Sequence, residues 1–347
     1  KDNEKISFPA LNQLDLGSID RNKILDIILE ANLFTLIRQR PFNKIADPKE
    51  TPRDIFISGY NSSPLSVDLQ KLIEQERDTF QTGLKVLSKL TEGSVFLTLG
   101  RSIQFDNASV QTISGPHPSG NVGIQIHHTK PLKPGEVVWS VNAQHVITLG
   151  RLFKTGSYDP AIIVSIGGSG STNPSTVKTI TGANIGLLVE KQNLKKSVRL
   201  ISGDVLTGKT VENIDFLGFY DSSISIIDDD VKRPFLGMLN PGSSKTKYSL
   251  TNAFLSIGNK TFDFTSSQNG ELRAMVPLNV WENVLPMDIY PNPLYRAILA
   301  QDIEEMEKLG IWECDDEDFA LCSFACPSKI DVGGVVRDGL DLMEKEG

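Results

Sequence analysis

The spacing of apolar positions changes along this chain, and each change predicts a different kind of element. Ile24, Ile27, Ile28 and Ala31 recur at the interval of one helix face, behind Ser18 or Asp20 as a cap. That helix is expected to run on into "LIRQRPFNKI" and to stop at Pro41. Nearly unbroken apolar runs then predict buried strands at "DIFISG" (54–59), "SVFLTLG" (94–100), "VQTISG" (110–115) and "VVWSV" (137–141). Between the first two, Ile73, Phe80, Leu84 and Leu87 share a face of one long helix, with Gly93 placed to stop it. "NAQHVITLGRLFKTG" reads as another helix, closed by Gly156. Strands alternating with helices predict a mostly parallel sheet flanked on both sides, over roughly 47–158.

From residue 160 the texture turns to glycine, serine and threonine. Short strands such as "AIIVSIGG", "VRLISGDVL", "SSISIIDDD" and "KRPFLGML" predict a small β-rich module reaching to about 265. Beyond about 276 the period becomes helical again. "NPLYRAILAQDIEEMEKLG" sets Tyr295, Ile298, Leu299, Ile303 and Met306 along one stripe, capped by Gly310, and "GGVVRDGLDLMEKEG" makes a last amphipathic helix. The chain divides as an N-terminal linker and helix (1–46), an α/β domain (47–158), a β-rich region (159–275) and a helical domain (276–347).

Charge removes one class of partner. Asp and Glu outnumber Lys and Arg by 43 to 35, and no long basic stripe exists, so nucleic acid is excluded. No run of about 18 apolar residues spans a bilayer. The start, "KDNEKISF", is neither a signal peptide nor an initiator context, and is expected to follow further natural sequence. Three cysteines crowded at one end argue against a disulfide scaffold and for an intracellular, reducing compartment.

Those cysteines lie in "CDDEDFALCSFACPSKI" (314–330), where the acidic run suits the positive end of a helix. Cys322 and Cys326 share a face, and Pro327 ends the helix. Iron–sulfur ligation usually takes four thiolates, whereas here Cys314, Cys322 and Cys326 stand alone with gaps of seven and three. Packing as small hydrophobes suits them better, a ligand shared with a partner remaining open. "SGPHPSGNVGIQIHH" (114–128) surrounds His117 with Pro116, Pro118 and glycines, which makes either a rigid turn or a contact for a cofactor or partner. His127, His128 and His145 could be gathered round zinc, but adjacent histidines on a strand point to opposite faces. "SIGGSGSTNPS" (165–175) has glycines after a strand yet lacks the full phosphate-loop spacing. Asp228, Asp229 and Asp230 read as a solvated turn rather than a calcium loop. "IRQRPFNK" puts Arg38, Arg40 and Lys44 beside Phe42 at a helix end, as dipole partners or a docking edge. No G-x-S-x-G elbow or serine triad supports hydrolysis.

Taken in order, "RPFNK", "GPHPSGNVG", "RLISGDVLTG", "NGELRAMVPL", "LPMDIYP", "DEDFALCSFACPSK" and the closing "EKEG" resemble the A subunit of the bacterial sodium-translocating NADH:quinone oxidoreductase. The resemblance runs along essentially the whole chain and implies a missing biotin-carrier-like domain in front. It implies a peripheral subunit on the cytoplasmic side of the inner membrane, docked on the membrane-embedded B subunit and the other subunits. The complex oxidises NADH with flavin and iron–sulfur centres held elsewhere, reduces a quinone and moves sodium. Wider kin, the NADH-binding subunit of complex I and the C subunit of the Rnf complex, imply a Rossmann-like domain, a ubiquitin-like β-grasp module of SLBB type and a helical cluster domain.

The chain departs from those kin. Their G-R-G-G-x-G flavin loop is not found, Gly120-Asn121-Val122 stands where they carry a Gly-Glu-Glu turn, and the cysteine set is thinned out. The resemblance therefore implies a scaffold with no tightly bound cofactor, its cysteines vestigial, contributing near the quinone of the intact complex. Arg38, Arg40, Phe42 and Lys44, then His117 and Pro118, are the expected quinone-region residues, since a quinone pocket needs an apolar wall and one or two donors. The alternative is a flavin- or NADH-binding electron-input subunit like that of complex I.

Overall fold

Strand residues with both faces buried organise the first half of the chain. A computed structural model describes residues 7–10, 19–229, 264–268 and 270–347. Its first sheet contains β1 (Arg38–Arg40), β2 (Lys44–Ile45), β3 (Ile55–Ser58), β4 (Val95–Leu99), β5 (Ser109–Thr112) and β6 (Val138–Asn142) in the order β2-β1-β6-β3-β4-β5. β6, β3, β4 and β5 run parallel, while β1 pairs antiparallel with both β6 and β2. The sheet is therefore mixed. On β3, Ile55 and Ile57 enter the main core and Phe56 the cluster on the opposite face, as the two-residue period of a strand requires.

Helices cover both faces. α1 (Arg21–Glu30) is capped by Asp20, which accepts from the Lys23 amide at 2.8 Å, and Ser18 lies outside the described residues. It buries Ile24, Ile27 and Ile28, and the chain leaves it at Asn32 with φ 56°. The basic segment is consequently not a helix end. It is the β1–β2 hairpin, with a cis Arg40–Pro41 peptide and positive φ at Phe42 and Asn43.

The expected long helix is two, α2 (Leu69–Gln75) and α3 (Arg77–Leu87), broken at Glu76. α3 ends at Ser88, so Gly93 stops nothing; it sits where a Cβ would collide with the Arg53 carbonyl. α4 (Val122–Thr129) carries His127 and His128 on a helix, not a strand. α5 (Ala143–Thr155) is capped by Asn142 and closed by Gly156 at φ 68°.

Residues 160–229 form the second sheet: β7 (Ala161–Gly167), β8 (Ser175–Ile180), β9 (Val198–Ser202), β10 (Lys209–Val211) and β11 (Ser223–Asp228), ordered β10-β9-β11-β7-β8. β7 and β11 pair in parallel, and every other neighbouring pair is antiparallel. α6 (Ile185–Val189) contributes Ile185 and Val189 to a core of Val164, Ile166, Leu200, Ile224 and Ile226. The glycine-rich 165–175 stretch leads from β7 into antiparallel β8, with no helix after it to present to a phosphate. "KRPFLGML" falls outside the described residues.

The C-terminal part holds α7 (Pro291–Leu299), α8 (Ile303–Lys308), α9 (Ala320–Ala325) and α10 (Val332–Glu346). Gln301, at φ 56°, breaks the single stripe expected here and leaves Leu299 61% exposed. Leu294, Ile298, Met306, Ile311, Phe319, Val336 and Leu340 form its core, together with all three cysteines and Ile124 from α4. The architecture is thus mixed α/β, with two mixed sheets and a helical C-terminal part.

α3 and α5 cross at backbone contact distance. A Cβ at Gly83 would meet the Val146 carbonyl oxygen, and one at Gly150 the Thr79 carbonyl oxygen. Gly83→Ala is therefore expected to lower stability by about 1–3 kcal/mol in urea unfolding, because backbone cannot yield as a side chain does. An unchanged midpoint would show that this crossing has slack.

Candidate functional site: a buried polar junction and two cavities

The hairpin turn delivers Arg40 into the C-terminal part. Its Nη2 lies 2.8 Å from Asp315 Oδ2 and 3.1 Å from Glu317 Oε1, with Arg40 3% exposed and Asp315 fully buried. Asn43 Nδ2 donates to the same Asp315 oxygen at 2.6 Å, and Arg337 Nη1 on α10 lies 3.5 Å from the other. Asn121, at the start of α4, donates to the Glu317 carbonyl at 3.0 Å. Four parts of the chain meet here: the hairpin, α4, the turn before α9 and α10.

The acidic run is thus more than a helix-end decoration. Asp315 and Asp318 are both fully buried. Burial tends to lower Arg40, but the carboxyls of Asp315, Glu317, Asp318 and Asp316 outweigh it and raise the guanidinium, which stays charged. Burial, then the Glu317 charge, pushes Asp318 from 3.8 to about 7 against the pull of Arg40. Asp318 Oδ2 occupies the place a Cβ of residue 123 would take, which is why glycine stands there in α4.

The expected quinone-region residues separate. Arg38 and Arg40 line a crevice of about 320 Å³ at the carboxyl ends of β3 and β6, where the strand order reverses. Arg38 lies over the Tyr220 ring, 4.7 Å from its centre, and donates to Asn43. Asp204, Asp221 and His145 line the same crevice, and burial lowers His145 to about 4, so it is neutral. Phe42 and Lys44 are elsewhere: Phe42 packs edge-on against Trp312 at 5.6 Å, and Lys44 pairs with Glu344 of α10. His117 and Pro118 line a second, more apolar cavity of about 690 Å³.

The histidines do not converge. Asp288 N–H donates to His127 Nε2 at 3.1 Å, so its Nδ1 carries the hydrogen given to Glu313 at 2.7 Å. His128 Nε2 donates to the Pro286 carbonyl at 2.8 Å. Both tie α4 to the C-terminal part. Among the described residues no His, Cys, Asp and Glu group is arranged to hold a metal. Asp228 and Asp229 pair with Lys195 and Arg199, and Asp230 is outside the described residues.

All three cysteines are buried free thiols. Cys314 Sγ donates to the Gly310 carbonyl at 3.5 Å and Cys322 Sγ to the Trp281 carbonyl at 3.8 Å. Burial, then nearby carboxylates, raises Cys314 well above its ordinary value and Cys322 to about 12.

Sequence reasoning missed Asp315, Asp318, Arg337 and Asn43 as members of these sites. Charges nearly three hundred residues apart carry no shared local pattern; the one available hint was an acidic run too dense to sit wholly in solvent.

The fold and these contacts define a three-part α/β protein closed by a buried polar junction. Family models match the NqrA second alpha/beta domain over residues 19–158 and the NQRA C-terminal domain over 163–213. Curated relatives match almost end to end. The A subunit of the Na(+)-translocating NADH-quinone reductase of Hahella chejuensis is 38% identical over 98% of this chain and 77% of its own length. Those of Pasteurella multocida and Vibrio anguillarum are each 37% identical over 99% of this chain and 78% of theirs. The chain belongs to the NqrA family, the A subunits of the Na(+)-translocating NADH-quinone reductase. A crystal structure of an NAD+-reducing nickel–iron hydrogenase aligns with 60% of this chain and 47% of its own at 10% identity, with TM-score 0.42, too distant to bear on fold or function. Among the described residues no helix is long and apolar enough to cross a membrane.

Two outcomes follow for the junction. Arg40→Met leaves buried carboxylates without their cation and is expected to cost about 3–5 kcal/mol in urea unfolding, most of it recovered by adding Asp315→Leu. Lys44→Ala, at a half-exposed pair, should cost less than about 1 kcal/mol. A second outcome concerns pH. The folded-state pKa of Asp318 lies above its unfolded value, so its contribution is fully present below about 4 and is lost as pH rises through about 7. Asp315 is raised too and adds in the same direction. Neutral, buried His145 works the other way, so the test is a difference: between pH 5 and pH 8 the wild type should lose at least about 1 kcal/mol relative to Asp318→Asn. Equal pH dependence in the two proteins would refute the assignment.

Proposed function

We propose that this chain is a peripheral scaffold subunit of a sodium-pumping NADH:quinone reductase, without a tightly bound cofactor of its own and not catalytic alone. It docks on the membrane-embedded B subunit and the other subunits at the cytoplasmic face of the bacterial inner membrane. Flavin and iron–sulfur centres sit on those other subunits, and this chain contributes to the surroundings of the quinone. Membership in the complex rests on relatives that share the chain over nearly its whole length.

The scaffold role is supported by one observation: the cysteines that would ligate a cluster are free thiols buried in the C-terminal core, with Cys314 and Cys322 donating to backbone carbonyls. The domain reading goes with it. Four parallel strands that reverse direction of growth at β3 support a Rossmann-like unit, to which we assign the β1–β2 hairpin as well. A central parallel pair flanked by antiparallel strands, with one helix between the second and third, supports a β-grasp module of SLBB type.

For quinone contact the hairpin is the weaker choice, since Arg40 is committed to Asp315, Phe42 to Trp312 and Lys44 to Glu344. His117 and Pro118 keep the assignment because their cavity is the more apolar one. A flavin- or NADH-binding role is the second reading. It is favoured by the crevice at the strand-order reversal, where sheets of this kind hold nucleotides. Asp204, Asp221 and Glu317 on its walls oppose a phosphate-bearing ligand.

An absorbance scan with iron and zinc analysis on anaerobically purified chain decides between them. A colourless, metal-free protein is expected. A yellow sample, or a brown one with stoichiometric iron, would make the chain an electron carrier and end the scaffold reading.

A further inference from the structure

Four large apolar side chains stand in solvent on one side of the module built on the second sheet. Ile180 is 54% exposed, Leu187 73%, Ile214 76% and Phe216 65%. Asn184 gathers them. Its side chain caps α6 by accepting from the Leu187 amide at 3.2 Å, and its Nδ2 donates to the Ile214 carbonyl at 3.3 Å. Asn184 also pairs with Phe216 in an isolated antiparallel bridge, and the neighbouring Ala183 amide donates to the Ile180 carbonyl at 3.2 Å. Ile185, Val189 and Leu217 of the same segments turn inward and fill the module's core. The outward four are left over from that core, at positions that are ordinarily polar when they face water.

Charge and area narrow what covers them. The charged residues that adjoin these four in the chain are Lys178 and Lys191 against Glu190, Glu212 and Asp215. An anionic lipid surface draws clustered Lys and Arg, and this border is not basic. The four side chains expose roughly 500 Å², at the upper end for a patch on a monomer. Two copies placed face to face would bury about 1,000 Å², short of the roughly 1,200–2,000 Å² of a stable pair. An apolar centre ringed by both signs of charge fits a different protein whose surface has the same make-up.

We propose that this face, centred on Leu187, Ile214 and Phe216, is where another subunit of the sodium-pumping complex docks, through an apolar segment bordered by charges of both signs. The proposal rests on the subunit reading above and adds the face and the chemistry of its partner.

The test is co-purification of the 347-residue chain with the other subunits of the complex, co-expressed and captured through a tag on one of them. Wild-type chain is expected in the captured complex, and Ile214→Asp combined with Phe216→Asp should lower its yield at least about tenfold. Leu187→Lys, on the exposed side of α6, repeats the test at an independent point and should also lose assembly. Ile214→Val with Phe216→Leu stays apolar and should assemble like the wild type. Thermal unfolding of the free chain reports whether each variant is folded. Full recovery of the aspartate and lysine variants in the complex would overturn the proposal while leaving the subunit reading standing. Wild-type chain that never enters the complex would overturn both. Light scattering of the free chain, and flotation with vesicles of phosphatidylcholine and phosphatidylglycerol, cover the other occupants. Dimerisation or vesicle binding abolished by the same substitutions would overturn the proposal in favour of a second copy or a lipid surface.

Discussion

One guanidinium joins the two ends of this chain. Arg40, brought inward by the turn between β1 and β2, meets Asp315 at 2.8 Å in a place water does not reach. Breaking such a contact on one side strands a charge in low dielectric, so the elements that present it are held to one arrangement. The hairpin must lie on β6, the turn before α9 must face it, and α4 must start where Asn121 can reach the Glu317 carbonyl. Asp318 adds a constraint of its own, because its carboxyl fills the space a side chain at residue 123 would need. The cluster gathers four carboxyls against two arginines, and part of that imbalance is taken up as bound protons.

That junction determines what the rest can do. It fixes α4 between the first sheet and the C-terminal helices, where His127 and His128 fasten it further to Glu313 and Pro286. The same helix forms a wall of the His117 cavity, so its shape depends on a contact made at the other end of α4. The cysteines lie behind the acidic turn, buried in the C-terminal core, where Cys314 and Cys322 donate to backbone carbonyls.

Much of the fold was legible from periodicity. The buried strands at 54–59, 94–100 and 137–141 and the caps at Asp20 and Gly156 follow from spacing and turn chemistry alone. What was not legible has physical causes. Apolar positions on α2 and α3 continue the same pattern across Glu76, so the break between them leaves no trace in hydrophobicity. "RQRPFNK" carries residues that serve equally at a helix end or a hairpin, and the ladder with β6 decides for the hairpin. His127 and His128 looked strand-like beside a glycine-rich turn, and the burial of Ile124 and Ile126, two apart, would suit a strand as well, yet residues 122–129 are helical. The ion-pair partners of Arg40 belong to residues that only tertiary structure brings near.

The account's central claim is that the Arg40 contact couples the first sheet to the C-terminal helices. Amide hydrogen exchange on the wild-type chain and on Arg40→Met tests it most directly. The account predicts that protection falls together in residues 38–45, in 121–129 and in 311–326, while 161–228 keeps its wild-type rates. Loss of protection confined to the hairpin would contradict it and reduce Arg40 to a local anchor.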